Sequence, residues 1–526
     1  MTLAKTATRI GKLSTIYLIG SFAPQLINML VLPIYTDYLS KEQMGIFNLA
    51  GRVSTPLGVL MQLGVLAGLK SWYFRTDEHL RPQLVRSVQL GQFVVNTAMV
   101  LLLALLGLAF VDDILPDLPL PWPALYGLWL LILAYVFGDA SMRLASTVAR
   151  LCEHATTSIA LNLSRYALQV VVGLSLVYWL AAEGKDDWQG VGRQAAATVA
   201  TLATTFAAIR MVWRYGGGRF ELAMSKRVLR SGVTFLPHQL SDGLMLTLNA
   251  WMVNGFFSTA ALGVYGVAVA FAQLIQMPLI NFGDAAYPTL SRLMREGGDE
   301  NRRQQSRIYT LTLLLIVFAM LAQQIFSTVA IRVLANPAYH EAASVVSILI
   351  LAWLFQAFYQ IISQPVFYFG GGLWLSTATG TSILVSAAVG VWAIPEYGMY
   401  GAAWSMVAGF VAKFIVAASA STYLYPLPWE LSKIARALAC AATVVWVDLA
   451  FVDGWLVVVK DMEQPGTFFE RVEWLNLSLV VGVKLLLLGV MVLLLWLTRA
   501  IRTRELVIVA EAVRGKLRGL LRRKAG

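Results

Sequence analysis

Four charged side chains lie inside long apolar segments of the sequence and are the first candidates for chemistry. They are Arg52, Arg165, Asp242 and Lys413. A charge at the centre of a membrane helix costs about 2.5–3.5 kcal/mol or more, so such a residue is a functional candidate by default. Arginine offers acidic oxygens a two-pronged fork, and lysine acts as a point charge. Cations near mid-depth, with one carboxylate, therefore predict a binding site within the membrane.

Each of these residues also has a structural interpretation. Arg52 lies close enough to the end of its segment for the guanidinium to reach the membrane surface. Asp242 acts either as a coupling or counter-ion group of the site, or as a permanent partner of one cation that only ties two helices together. Both interpretations remain open at the level of the sequence.

Two further pairs of charges have other expected roles. Asp448 and Lys484 fall at similar depths in the last two apolar segments. Adjacent antiparallel helices would bring them together, so we expect a structural ion pair that holds this hairpin. Asp139 and Arg143 lie near the end of the fourth segment. They either form a gate or lie in the lipid headgroup layer, and we expect the headgroup layer.

The elements that carry these charges are predicted to be transmembrane helices. The chain has 526 residues, of which 58% are hydrophobic and 13% are charged, whereas soluble domains have about 25% charged residues. A span needs about 20 mostly apolar residues, and the segments are too long and continuous for barrel strands. An all-α polytopic membrane protein with about fourteen spans is expected, at 13–36, 45–69, 90–111, 122–143, 156–180, 193–214, 232–254, 260–283, 308–331, 343–365, 372–394, 400–422, 437–458 and 476–498.

The loops between these spans predict the orientation. Lysine and arginine favour one side of the membrane by roughly five to one, which indicates that both termini are cytoplasmic. The net charge of +12 is then mostly an orientation signal. The tail at 499–526 repeats apolar residues between arginines, which is typical of an amphipathic helix on an anionic inner leaflet.

A short internal repeat suggests two matched lobes. Ser40 precedes Gly45-Ile46-Phe47 by the same spacing with which Ser258 precedes Gly263-Val264-Tyr265. The offset corresponds to six helices, so the lobes would be related by a pseudo-twofold axis along the membrane normal, with a cavity between them. Ala270 occupies the position that corresponds to Arg52, which favours a specific role for that arginine. The predicted division is two six-helix lobes, a transmembrane hairpin and the tail, at 1–220, 221–430, 431–498 and 499–526.

Three segments carry a resemblance to a known family: LPIYTDYLSKEQMGIFNLA at 32–50, NPAYHEAASVVSILILAWLFQ at 336–356 and IPEYGMYGAAWSMVAG at 394–409. In their order and positions they resemble the polysaccharide-transport branch of the multidrug/oligosaccharidyl-lipid/polysaccharide exporter superfamily. The resemblance implies a flippase for an undecaprenyl-pyrophosphate-linked oligosaccharide, working by alternating access, in the bacterial inner membrane. Arg52, Arg165 and Lys413 would then hold the pyrophosphate, and a polysaccharide polymerase or export complex would be a partner.

Other functions remain as alternatives. Lipid II flippases and cation-coupled drug antiporters share the fold that this resemblance implies. An integral glycosyltransferase or polymerase is the rival from another class, but no outer domain is available to bind an acceptor. A non-transporting subunit of an envelope export complex is a further alternative. The sequence has no nucleophile–base triad, metal-ligand spacing or phosphate loop, so no enzyme, metal or cofactor is expected.

Overall fold

The computed structural model describes most of the chain, in the ranges 27–73, 76–152, 154–233, 236–276, 292–369, 372–452 and 473–501, together with residue 290. The tail beyond residue 501 and the first half of the predicted span 13–36 lie outside these ranges. The described residues contain helices, short turns and no strand. The predicted all-α class is therefore confirmed.

Long helices make up nearly all of the described structure. They are α1 (27–38), α2 (Lys41–Gln62), α3 (Val65–Tyr73), α4 (Arg81–Ile114), α5 (Trp122–Leu151), α6 (Ala155–Ala182), α7 (Gln189–Tyr215), α8 (Leu222–Val233), α9 (Leu236–Phe256), α10 (Thr259–Ala272), α11 (Asp299–Leu334), α12 (Ala342–Tyr368), α13 (Gly372–Tyr397), α14 (Met399–Leu424), α15 (Leu431–Val447) and α16 (Trp474–Leu497).

Ten helices in the described ranges are long and apolar enough to cross a membrane. The other predicted spans fall on α1, on α2 with α3, on α9 and on α10. The predicted span 45–69 is not one helix, because Leu63 and Gly64 both have positive φ angles, of 44° and 70°, and separate α2 from α3. The span at 122–143 is longer than its apolar segment, because α5 continues to Leu151.

The chain divides into two compact units. One comprises 1–285 and 334–421, and the other comprises 286–333 and 422–526. The described part of the first unit holds α1 to α10 with α12, α13 and most of α14. The second holds most of α11 together with α15 and α16. This division cuts across the predicted lobes, whose boundaries stay a prediction.

Within the first unit, small residues and threonines set how α5 and α7 pack. Thr198 Oγ1 donates to the Leu131 carbonyl at 3.0 Å, and Thr205 Oγ1 donates to the Gly138 carbonyl at 3.0 Å. Hydroxyl-to-carbonyl bonds between helices of small residues are a common way to join helices in lipid. These two bonds fix the register of α5 against α7 over two helical turns.

The two turns of the internal repeat meet at one end of the first unit. Ser40 and Ser258 cap α2 and α10, each accepting a hydrogen bond from a backbone N–H three residues later. A Cβ atom on Gly45 would lie 2.0 Å from the Thr259 carbonyl oxygen, and one on Gly263 would lie 2.0 Å from the Lys41 carbonyl oxygen. Lys41 and Thr259 are themselves related by the repeat. The internal repeat therefore relates the two contacts to each other, and together they form a close crossing of α2 and α10.

The first two segments that carried the family resemblance also contact each other. The Tyr339 hydroxyl donates to the Leu39 carbonyl at 2.7 Å, and the Asn336 N–H donates to Thr36 Oγ1 at 3.0 Å. Burial raises the pKa of Tyr339 far above its usual value, so its hydroxyl remains a donor. These bonds attach the turn before α12 to the end of α1.

Candidate substrate cavity

A polar cavity of about 480 Å³ lies inside the first unit, among α1, α2, α5, α6, α7 and α10. One face of α2 lines it, because Asn48, Gly51 and Thr55 recur at intervals of three and four residues. Gln169 and Gln194 contribute amide groups from α6 and α7. A polar hollow of this kind inside a bundle of membrane helices is a candidate passage for a hydrophilic group.

A carboxylate shared by two arginines forms the first charged part of the wall. Arg143 Nε donates to Asp139 Oδ2 at 2.6 Å, and Arg165 donates to Asp139 Oδ1. The side chains of Asp139 and Arg165 are 5% and 7% exposed, whereas that of Arg143 is 57% exposed. Asp139 and Arg143 line the cavity, and Arg165 lies behind them. The cluster thus keeps a net positive charge and presents it on Arg143.

Arg193 forms the second charged part of the wall. Its guanidinium carbon lies 3.8 Å from the ring centroid of Tyr35 and 3.8 Å from that of Phe47, so it is held between two aromatic faces. Its Nη1 also lies 3.1 Å from the sulfur of Met44. No carboxylate in the described ranges pairs with Arg193. The cation is therefore oriented by rings and retains its charge.

The two charged places are at different depths. The bond between Thr205 and Gly138 sets the register of α5 against α7, so Arg143 on α5 lies at the level of Arg210 on α7. Arg210 follows Arg193 by about 17 residues along α7. At 1.5 Å per residue, the two cations are separated by about 25 Å along the helix axes. The lengths of the two side chains shorten this gap without closing it. One small anion therefore cannot contact both arginines at once.

The structure does not bring the three predicted cations together on this wall. Arg165 is held behind Asp139. Lys413 is 1% exposed on α14, where it donates to Gln356 Oε1 at 3.3 Å and lies 4.3 Å from the ring centroid of Tyr359. Neither residue is part of the described cavity lining, and neither is Arg52.

Arg52 and Asp242 are positioned by the packing of α2 against α9. The Arg52 carbonyl accepts a hydrogen bond of 2.7 Å from Thr247 Oγ1, and its half-buried side chain lies near Tyr265. Asp242 belongs to α9, but its side chain is outside the described structure. Its pairing with a cation therefore stays a prediction.

The charges of the last two predicted spans are adjacent in the second unit. Lys484 Nζ donates to both carboxylate oxygens of Asp448, at 2.7 and 2.9 Å, and both side chains are buried. Asp448 begins a π-helical turn, Asp448–Val452, that continues α15. That this pair only holds the hairpin stays a prediction.

Sequence reasoning missed the two arginines that the cavity exposes. It expected Arg143 in the headgroup layer because the apolar segment ends there; α5 continues for two more turns, and Arg143 lines the cavity beside Asp139. The spacing of Asp139 and Arg143, four residues apart on one helix, was the available signal. Arg193 begins the predicted span 193–214, and nothing in the sequence shows that Tyr35 and Phe47 enclose its guanidinium.

Comparison with known proteins gives one family. A model described as polysaccharide biosynthesis protein matches residues 10–294, which is more than half of the chain. No protein with a curated description matches the sequence.

Several solved structures share the fold. A lipid II flippase, MurJ, in an inward closed conformation is 12% identical, with a TM-score of 0.63 over 90% of this chain and 97% of that one. An inward-facing multidrug resistance MATE family transporter is 14% identical, with a TM-score of 0.53 over 78% and 93%. A transporter from Pyrococcus furiosus is 16% identical, with a TM-score of 0.53 over 79% and 94%. At these identities the likeness concerns the fold.

Proposed function

This chain belongs to the polysaccharide biosynthesis protein family of the multidrug/oligosaccharidyl-lipid/polysaccharide exporter superfamily, and we propose that it flips an undecaprenyl-pyrophosphate-linked oligosaccharide across the bacterial inner membrane. It is a multi-pass membrane protein with a flippase and transporter fold. The proposed direction is from the inner to the outer leaflet, with both termini in the cytoplasm, for synthesis of a surface polysaccharide or exopolysaccharide.

The charge of the cavity wall carries this proposal. Its described lining has two arginines, Arg143 and Arg193, and one carboxylate, Asp139. A pyrophosphate concentrates negative charge that lipid excludes, and an arginine fork matches phosphate oxygens. A wall with a positive balance disfavours a cationic cargo such as a cationic drug. The cavity therefore suits an acidic headgroup.

The separation of Arg143 from Arg193 supports a two-step path. The pyrophosphate binds first at the Asp139 cluster, where Asp139 and Arg165 fix the Arg143 side chain and leave its terminal nitrogens to the ligand. It then moves about 25 Å toward Arg193, near the predicted outer ends of α2 and α7. Alternating opening at the two ends of the cavity would prevent a continuous leak, while the prenyl chain stays in lipid.

The other predicted cations retain proposed roles in this cycle. Arg52 and Lys413 would contact the headgroup after the helices rearrange, and Asp242 would act as their counter-ion or accept a coupling ion. Anionic lipids at the tail and a polysaccharide polymerase or export complex are proposed partners.

A lipid II flippase is the second candidate. One observation favours it: the fold of a protein with that function is shared over 90% of this chain. The two candidates differ in the sugar that the lipid carries, so the identity of the accumulated lipid separates them.

Depletion of the protein in its host tests both functions. We expect an undecaprenyl-pyrophosphate-linked oligosaccharide to accumulate on the inner leaflet, where an impermeant glycosidase or lectin cannot reach it in intact cells. Accumulation of lipid II would instead support the second candidate. If neither lipid accumulates, the flippase assignment is wrong.

A further inference from the structure

A second hollow, of about 740 Å³, lies at the end of the first unit where α2 and α10 cross. Four segments border it: the start of α2, the α4–α5 loop, the turn before α7 and the α9–α10 turn. The loop charges predict that all four face the outside of the cell. We call this hollow the outer groove. Nothing in the proposed path of the pyrophosphate uses it.

Two hydrogen bonds build the outer groove by fixing one loop against another. Asn254 Nδ2 donates to the Pro116 carbonyl, and Thr259 Oγ1 donates to the Asp117 carbonyl at 3.2 Å. Asp117 has a φ of 55°, in the left-handed region that non-glycine residues seldom adopt. The α4–α5 loop is thus held in a strained shape over the α9–α10 turn, and such strain is often found at binding sites.

The lining of the outer groove combines acceptors with aromatic faces. Glu42, Asp117 and Asp187 supply exposed carboxylates, and Trp188 and Phe257 supply exposed rings. Carboxylates accept hydrogen bonds from hydroxyl groups, and aromatic rings pack against the apolar faces of sugar rings. Convergence of a few polar groups with aromatic surface is typical of a small-molecule site.

A buried amide at the same place points independently to a ligand. Asn254 lines the outer groove and is 2% exposed. Its Oδ1 atom is buried and has no hydrogen-bond partner among the described residues. A buried acceptor without a partner costs free energy. A small turn of the Asn254 side chain would bring this acceptor to a ligand hydroxyl or amide donor in the groove.

Other classes of ligand fit the outer groove less well. Three carboxylates repel phosphate, so the headgroup that suits the cavity does not suit the groove. No three carboxylate, imidazole or thiol groups in the described ranges come close enough to share a metal ion.

Gln43 Oε1 accepts a hydrogen bond of 2.9 Å from the Gly190 N–H and so forms a partition between the groove and the cavity beside Met44.

We propose that the outer groove is a saccharide-binding site, which takes neutral or amino sugar units of the cargo on the outer face. This inference rests on the proposed function, because that function supplies a glycan at this surface. The glycan would bind in the groove while its pyrophosphate is at Arg193, and the linkage between them requires the Gln43–Gly190 hydrogen bond to open. The groove thus contributes to specificity for the sugar.

A glycan array tests the proposal with the full-length protein in detergent micelles. The probes are immobilised bacterial O-antigen and capsular glycans that carry no lipid and no phosphate. We expect the wild-type protein to bind a subset of them. Trp188→Ala and Glu42→Gln should each reduce the signal about fivefold or more, since one removes a stacking face and the other a charged acceptor.

Trp122→Ala is the matched control, because Trp122 is an exposed tryptophan at the same end of the unit and lies outside the groove lining. Its signal should equal that of the wild type, and all variants should unfold at the wild-type temperature. Absence of glycan binding by the wild type, or undiminished binding by Trp188→Ala and Glu42→Gln, overturns the groove assignment. Absence of glycan binding together with normal lipid transport would refute only the saccharide site. Glycan binding without lipid transport would refute only the flippase function.

Discussion

At the scale of single residues, the cavity depends on how one carboxylate is shared. Asp139 pairs with Arg165, which is buried, and with Arg143, which faces the cavity. A buried charge without a partner is strongly unfavourable, so Arg165 stabilises Asp139 and Asp139 in turn orients Arg143. The positive charge offered to a ligand is therefore positioned by a residue that the ligand does not touch.

Replacement of Arg165 tests this arrangement. Arg165→Met should lower the free energy of unfolding by about 1.5–3 kcal/mol, because Asp139 loses a charged hydrogen bond to its buried partner and keeps only the one from Arg143. The double variant Asp139→Asn with Arg165→Met should regain much of that loss, because no buried charge is left. Thermal unfolding of the purified protein measures both effects, and equal stability of the single and double variants would contradict the coupling.

The sequence predicted which types of residue form the site more accurately than it predicted the individual residues. Buried arginines and a buried lysine were expected, and Arg165 and Lys413 are indeed buried. Their partners were not predictable, since Asp139 lies on another helix and Tyr359 is 54 residues from Lys413 along the chain. Arg193 was missed because its depth depends on how its side chain folds between two rings.

At the scale of elements, the close crossing of α2 and α10 joins the two copies of the repeat. Gly45 and Gly263 each face a backbone carbonyl of the other copy with no room for a Cβ atom. The crossing lies beside both the cavity and the outer groove. A change in the distance between these helices would therefore alter access to both.

Alanine at these glycines should separate the helices. Gly45→Ala or Gly263→Ala is expected to destabilise the protein by about 1–3 kcal/mol through overpacking. Gly58→Ala is the control on the same helix, because its Cβ would meet its nearest neighbour only at 4.0 Å. Thermal unfolding should rank both crossing variants below the control, and wild-type stability of both would show that the crossing is loose.

The hairpin of α15 and α16 gives a separate test of a structural ion pair. Lys484→Met should destabilise the protein by about 3–5 kcal/mol, because the buried Asp448 loses two hydrogen bonds and the charge of Lys484. Asp448→Leu combined with Lys484→Met should restore stability and leave transport at the wild-type rate. Loss of transport in a stable double variant would give the pair a functional role instead.

Hydropathy located the elements well and their ends less well. It identified α12 and α16 nearly as they are, since their apolar residues are continuous. It failed at Leu63 and Gly64, where backbone dihedral angles break a helix inside an apolar segment. It also truncated α5, because arginines near the end of a helix lower the hydropathy without ending the hydrogen-bonded turns.

At the scale of the whole molecule, the direction of transport depends on an orientation inferred from loop charge. In a background with Cys152→Ser and Cys440→Ser, an impermeant maleimide should label Asp113→Cys in intact spheroplasts. It should label Glu296→Cys only after the membrane is permeabilised. The reverse pattern would invert the proposed orientation and would place the outer groove on the cytoplasmic side.

The most direct measurement of the central claim is the flipping rate in proteoliposomes of an undecaprenyl-pyrophosphate carrying a fluorescent oligosaccharide. Arg143→Gln and Arg193→Gln each remove charged hydrogen bonds worth about 1.5–3 kcal/mol, so each should slow flipping about 10- to 100-fold. Arg150→Gln and Arg210→Gln, on the same two helices and outside the cavity lining, should retain the wild-type rate. A wild-type rate in the Arg143→Gln, Arg193→Gln double variant would contradict the claim that this cavity carries the pyrophosphate.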